Sequence, residues 1–239
     1  MTYIFSVEGN IGSGKSTLLK ELKNKLTQIQ HYDIIYLQEP VNIWESFKDE
    51  NGKSIIESFY ENNKKFAFSF QMMAYISRLN QLKTTLKNNM NKNVIIITER
   101  SIHTDKEVFA KMLHDQKNMN KIEYDIYNKW FDQFLEECII DGIIYVKTSP
   151  SKCLERINKR RRKGESMTIE YLNDCHKYHD NWIENNDEIK HLLLNGNETY
   201  GSRNYISWTT HIEKFINDKI KKDYTQSFDY QFFLNHPFC

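Results

Sequence analysis

The chain has 239 residues, 39 % of them hydrophobic and 27 % charged, with 33 basic against 32 acidic side chains and a formal net charge of +1. That composition suits a folded globular protein and excludes a disordered one, and its near-neutrality gives no bulk electrostatic case for a nucleic-acid or membrane partner. No apolar run approaches a membrane-spanning length, and the four cysteines, Cys138, Cys153, Cys175 and Cys239, show no CxxC spacing that would suggest zinc.

Tyr3 to Val7 reads as a short buried strand that stops at Gly9. A strand this early leaves no room for a signal or transit peptide, so a cytoplasmic location with reduced thiols is expected. Leu18, Leu19, Leu22 and Leu26 recur at helical spacing and predict a helix over Lys15 to Ile29. Ile34 to Leu37 is a second strand, ending in Glu39-Pro40, where the proline cannot continue a ladder. Ser54 to Lys87 reads as one bent helix or two. Val94 to Ile97 is a third strand of branched aliphatics, followed by Thr98-Glu99-Arg100-Ser101. A helix is predicted from Thr104 or Asp105 through Leu113, and another over Ile122 to Cys138. Ile143 to Val146 is a fourth strand, and Pro150 suits the first turn of the helix after it. That helix runs into Lys159-Arg160-Arg161-Arg162-Lys163. Thr168 to Trp182 is helical, His191 to Leu194 is a fifth strand, and Ile206 to Ile220 is a last helix. The aromatic tail beyond Asp223 shows no clear period. Apolar strands alternating with helices predict an α/β fold, a five-stranded parallel sheet covered on both faces, in one domain over residues 1–222 with a tail over 223–239.

Gly9-Asn10-Ile11-Gly12-Ser13-Gly14-Lys15-Ser16 fits G-x-x-x-x-G-K-[ST] in full, between a strand and a helix. Backbone N–H groups must turn inward around a phosphate there, so side chains are a nuisance at the glycines. The positive end of the following helix faces the anion. Lys15 is expected on the β- and γ-phosphates and the Ser16 hydroxyl on Mg²⁺, while the Thr17 hydroxyl either touches the α-phosphate or only packs. The motif says nucleotide and leaves the reaction open among GTPases, ATPases, helicases and small-molecule kinases.

Ligands of an open α/β sheet sit beyond the carboxyl ends of its strands. Three such ends here deliver the P-loop, then Glu39, then Glu99 with Arg100. Phosphoryl transfer to a hydroxyl needs a group to orient or deprotonate the acceptor, a carboxylate for Mg²⁺ or its waters, and positive charge over the transferring group. Glu39 and Glu99 can fill the first two roles. Arg100 and the basic run from Lys159 to Lys163 can fill the third, the run as a lid over about residues 158–167. The same run could also be a solvated helix end favoured by the dipole.

These residues carry a resemblance to the deoxynucleoside kinase family, which includes deoxycytidine, deoxyguanosine and mitochondrial thymidine kinases. It runs from Tyr3 to about Trp182 through Glu8 to Thr17, Glu39-Pro40-Val41 with Trp44, Phe70-Gln71 with Arg78, Glu99-Arg100-Ser101 with Asp105, and Arg156, Arg160 and Arg162 with Glu165 and Tyr171-Leu172. The resemblance implies a three-layer P-loop fold, a homodimer built through long helices, and ATP-dependent phosphorylation of a nucleoside 5′-hydroxyl in nucleotide salvage. It makes Glu39 the general base, Arg100 a partner of the 5′ region and the transferred phosphate, and Glu99 a member of the Mg²⁺ shell. Tyr60 and Glu165 match the pair on the sugar 3′-hydroxyl, and Gln71 the amide that reads the base. Trp44, Ile56, Phe70 and Phe109 match the apolar walls. Arg156, Arg160 and Arg162 match lid arginines. Arg78 and Asp105, with Ala74, match members that prefer deoxycytidine or purine deoxynucleosides over thymidine. The stretch between Arg162 and Tyr171 is about one residue shorter than in deoxycytidine kinases, and the region from Gly196 to Tyr200 matches only loosely.

A thymidylate or other nucleoside monophosphate kinase would share the P-loop, sheet and lid but needs a site for an acceptor phosphate. A nucleotide-gated switch of the GTPase kind needs an Asn-Lys-x-Asp guanine reader, and the sequence has none.

Overall fold

The structure is a computed structural model that describes residues 1–160, 165, 167–199 and 201–235; side chains 136, 137 and 226–235 lie outside the description. The elements are β1 (Thr2–Glu8), α1 (Lys15–Lys25), β2 (Gln28–Ile29), β3 (Tyr32–Leu37), α2 (Val41–Ser46), α3 (Ile55–Glu61), α4 (Asn63–Asn88) and β4 (Val94–Glu99). There follow α5 (Ile102–Thr104), a π-helical turn (Asp105–Ala110), α6 (Lys111–Asp115), α7 (Lys121–Phe134) and a 3₁₀ turn (Leu135–Cys138). The chain ends with β5 (Gly142–Lys147), α8 (Pro150–Arg160), α9 (Ile169–Glu184), β6 (His191–Asn195) and α10 (Arg203–Asn235). Among the described residues no helix is long and apolar enough to cross a membrane.

The sheet has six strands in the order β2-β3-β4-β1-β5-β6. This corrects the expected count of five. The five anticipated strands form the parallel part, and β2 adds an antiparallel edge on β3. It comes from the end of the predicted first helix, which stops at Lys25. Ile29 sustains the helical period because it is buried in the same cluster as Leu22 and Leu26. The chain reverses at Gln30, a non-glycine residue with φ 54°, which leaves no Gly or Asn signature to read.

Both faces of the sheet are covered. One core joins β1 and β4 side chains to α1 and α10 through Leu18, Leu22, Ile212 and Ile216. The other joins the opposite face to α4, α7 and α9 through Tyr75, Leu79, Phe131 and Ile183. Every residue of β4 is buried, as a central parallel strand requires. Each of its aliphatics contributes about 1.5–3 kcal/mol of burial. The predicted long segment after Ser54 is two helices. Ser54 and Glu57 form a capping box on α3, and Asn62 breaks the path and caps α4 by accepting from the Lys65 N–H at 3.1 Å. No Gly or Pro interrupts Arg203 to Asn235, and α10 runs past the predicted Ile220.

Strand order decides the site. β3, β4 and β1 are neighbours, with Val7 beside Glu99 and Leu37 beside Thr98. Their carboxyl ends therefore bring Gly9, Glu99-Arg100 and Glu39 side by side.

Candidate active site

The P-loop turns tightly between β1 and α1. Gly9, Gly12 and Gly14 all have positive φ. A Cβ on Gly9 would lie 2.5 Å from the Val146 carbonyl oxygen, and one on Gly12 would lie 2.6 Å from that of Cys153. Both clashes are with backbone, so only glycine fits. The side chain of Asn10 is used to anchor the loop, donating to the Leu172 carbonyl at 2.8 Å and accepting from the Ile11 N–H. The Lys15 ammonium is buried and donates to the Gly9 and Asn10 carbonyls at 3.0 and 2.7 Å. Burial, then the nearby Arg100 charge, lowers its pKa to about 8. Ser16 and Thr17 open toward the cleft, and Ser16 Oγ donates to Glu99 Oε1 at 2.5 Å.

Glu39 and Arg100 meet directly. Arg100 Nε donates to Glu39 Oε1 at 2.8 Å, and its Nη1 donates to the Gly9 carbonyl at 2.7 Å. Arg100 adopts φ 64°, stacks its guanidinium 5.0 Å from the Phe109 ring centre, and is 3 % exposed. Burial would raise the Glu39 pKa, but Arg100, Arg78 and Lys15 outweigh it and hold the carboxylate at about 2. Beside this pair Arg78 donates through Nε to Asp105 at 2.9 Å, through Nη1 to the Glu99 carbonyl at 2.9 Å, and through Nη2 to Glu39 at 3.4 Å. Burial pushes the Asp105 carboxyl up, against the pull of Arg78, and the carboxylates around Arg78 keep its guanidinium charged despite burial.

Glu8 braces the turn after β4 from below. It accepts from the Ser101 N–H at 2.9 Å, from the Ser101 hydroxyl at 2.8 Å and from the Thr104 hydroxyl.

A cavity of about 540 Å³ runs from the P-loop past these charges into an aromatic chamber. It is lined by Ile11 to Thr17, Glu39, Glu99, Arg100, Arg156 and Arg160, and in the chamber by Trp44, Ile56, Tyr60, Phe70, Gln71, Ala74, Arg78, Asp105, Phe109 and Glu165. The structure thus brings together almost every site residue read from the sequence. Phe70 and Gln71, adjacent on α4, both reach the chamber. Phe70 stacks on Phe59 at 4.7 Å and meets Trp44 edge-on at 5.7 Å. The Trp44 indole N–H is satisfied by Ser77 Oγ at 2.8 Å. Gln71 is 2 % exposed, and its Oε1 has no hydrogen-bond partner. A buried, unpaired amide oxygen facing a cavity asks for a ligand donor.

Arg156 donates to the Ser13 carbonyl at 2.9 Å and to the Glu198 carbonyl at 3.3 Å, tying the P-loop to the turn after β6. Arg160 forms a two-pronged ion pair with Glu165. Arg162 lies outside the described residues. Sequence reasoning missed Phe59, Tyr205 and Trp208 as lining residues, and it gave Tyr171, Gly196 and Glu198 no more than a place in the resemblance. It also missed His179, fully buried behind Arg100. Phe59 and Trp208 read as core aromatics, and only the fold turns one side of each to the cavity. Among the described residues, no group of three or more His, Cys, Asp or Glu could hold a metal. A P-loop Mg²⁺ needs none, since it takes one or two protein oxygens and completes its shell with phosphate and water.

The sequence profile of the family described as Deoxynucleoside kinase matches residues 5–222. The chain is 34 % identical to deoxycytidine kinase 2 of Gallus gallus, over 92 % of this chain and 86 % of that protein. It is 34 % identical to a probable deoxycytidine kinase of fowlpox virus, over 89 % and 88 % of the two chains. It is 29 % identical to a mitochondrial deoxyguanosine kinase of Xenopus laevis, over 82 % of each.

Proposed function

The chain belongs to the deoxynucleoside kinase family, and from that premise we propose that it transfers the γ-phosphoryl group of ATP to the 5′-hydroxyl of deoxycytidine or a purine deoxynucleoside, in preference to thymidine. One observation carries the reading. A single cavity joins a P-loop cradle that admits only glycine to an aromatic chamber with an unpaired amide oxygen, and Glu39 and Arg100 stand between the two.

The roles follow from the chemistry. Gly9 to Thr17 cradle the triphosphate, with Lys15 on its terminal oxygens. Ser16 and Glu99 fit Mg²⁺, because they bring two hard oxygens together at the loop; the ion would neutralise charge on the transferred group. Glu39 orients the 5′-hydroxyl and takes its proton. A carboxylate held near 2 is a weak base, and it suffices for a loose transition state in which the proton leaves late. Arg100, released from Glu39 toward the phosphate, offsets the developing charge. Trp44, Ile56, Phe70 and Phe109 wall the base while Gln71 reads its edge. Tyr60 and Glu165 take the 3′-hydroxyl, and Arg156 and Arg160, with Arg162, close the lid over residues 158–167.

The family match supports one catalytic domain over residues 1–222. A homodimer is supported by an apolar stripe on α7: Ile122, Ile126 and Trp130 are 72 %, 42 % and 51 % exposed at four-residue spacing. Buried, reduced Cys138, Cys153 and Cys175 fit a reducing cytoplasm.

The deciding experiment measures kcat/KM for the four deoxynucleosides with ATP and Mg²⁺, alongside the corresponding monophosphates. We expect turnover of deoxycytidine or a purine deoxynucleoside above thymidine. Phosphorylation of monophosphates alone, or ATP turnover indifferent to any acceptor, would sink the reading.

A further inference from the structure

The Arg100 guanidinium is oriented by three acceptors and one ring. Glu39 takes its Nε hydrogen, and the Gly9 carbonyl lies 2.7 Å from Nη1. The third acceptor is His179 of α9, whose Nε2 lies 3.3 Å from the same Nη1. On its other side the His179 ring meets the Cys175 carbonyl through Nδ1 at 2.6 Å. A carbonyl can only accept and a guanidinium can only donate. Only one form of the ring satisfies both: a proton on Nδ1 and a lone pair on Nε2.

The ring's plane is fixed as well. It is parallel to Tyr145 within 4°, with centroids 6.3 Å apart, and Phe109 meets it edge-on at 88°. Tyr145 is itself held by Asp180 at 2.6 Å, and Asp180 by Lys147 at 2.9 Å. Burial, then the positive charges of Arg100 and Lys15, keep the His179 pKa well below 6.5, against the Cys175 carbonyl.

We propose that His179 is a positioning residue for phosphoryl transfer: protonated on Nδ1 alone, it accepts at Nε2 from Arg100 and fixes the plane in which that arginine faces the reacting centre. The inference rests on the role given above to Arg100. When Arg100 leaves Glu39 for phosphate, the Gly9 carbonyl and His179 are the contacts that keep its direction. A preset direction matters, since misplacing a catalytic group by about 1 Å can cost on the order of a hundredfold in rate.

Two variants and one spectrum test this. His179→Phe keeps the ring and its stack on Tyr145 but removes the acceptor. Its kcat is expected to fall at least about tenfold while the deoxynucleoside KM stays within about twofold. His179→Gln can set an amide oxygen near the Nε2 position and is expected to keep at least about a third of wild-type kcat. Nitrogen NMR of the wild-type histidine ring is expected to report the Nδ1–H form between about pH 8 and about pH 5.5. Unchanged kcat in His179→Phe, equal losses in both variants, or an Nε2–H or titrating ring overturns the proposal. The spectrum decides even if both variants fail to fold. It also separates this proposal from the functional reading, because it needs no turnover, whereas a wild-type protein inert toward every deoxynucleoside counts against the reading itself.

Discussion

Glu39 is pulled in opposite directions by its surroundings, burial favouring the protonated form and three cations favouring the charged one, and the cations prevail. Glu39→Gln keeps the shape and removes the charge. Its kcat should fall about 10²–10⁴-fold with deoxynucleoside affinity changed only a few-fold, as single-turnover kinetics and equilibrium binding would report. Normal turnover would remove Glu39 from the chemistry. Lys15 gives a pH test of the cradle. In the free protein its pKa is lowered to about 8. Phosphate oxygens favour the charged ammonium, so binding above pH 8 must take up a proton. Triphosphate affinity should then weaken by up to about tenfold per pH unit above 8, and stay level below it. Calorimetric titration with ATP at about pH 7 and about pH 9 would show this; equal affinities, with no proton uptake, would mean that the ammonium does not meet the triphosphate.

Among the elements, α4 and the π-helical turn carry the pair proposed to select the base. Arg78 from the first and Asp105 from the second form the buried pair in the chamber. A fixed charged pair offers hydrogen bonds in one direction and rejects bases with the wrong pattern. Replacing Arg78 with Met and Asp105 with Leu together should move the kcat/KM ranking toward thymidine. The same change should lower kcat for every substrate, because Arg78 also contacts Glu39 and the Glu99 carbonyl. An unchanged ranking would show that the pair does not read the base. Removing Arg78 alone should be worse for stability than removing both, by about 3–5 kcal/mol, since it strands a buried carboxylate. Urea denaturation of the three variants measures that difference.

For the whole molecule, the exposed stripe on α7 is the face proposed for a homodimer. Trp130→Glu places a charge in its middle, while Trp130 contributes its backbone carbonyl to Tyr75 and stacks at the surface on Phe134. The fold should survive and the dimer should dissociate. Sedimentation velocity would show the loss of mass, and a dimer that persists would place the interface elsewhere.

Much of the site was legible before folding, for a physical reason. A phosphate cradle needs glycines and a lysine at one spacing within a single turn, so Gly9 to Ser16 announced themselves locally. Glu39 and Glu99-Arg100 were legible because they end apolar strands, and ligands gather there. Short-range patterns could not reveal β2, which hides inside a continued helical period and turns at Gln30 without glycine. Nor could they reveal His179, which lies 79 positions along the chain from Arg100. Its ring reads as one more core side chain until α9 packs against the π-helical turn and brings it to Arg100. The sequence by itself determined that a triphosphate is held and that carboxylates and an arginine stand near it. Only the tertiary structure decided which acceptors aim Arg100, because hydrogen-bond direction depends on distances between elements that no local spacing encodes.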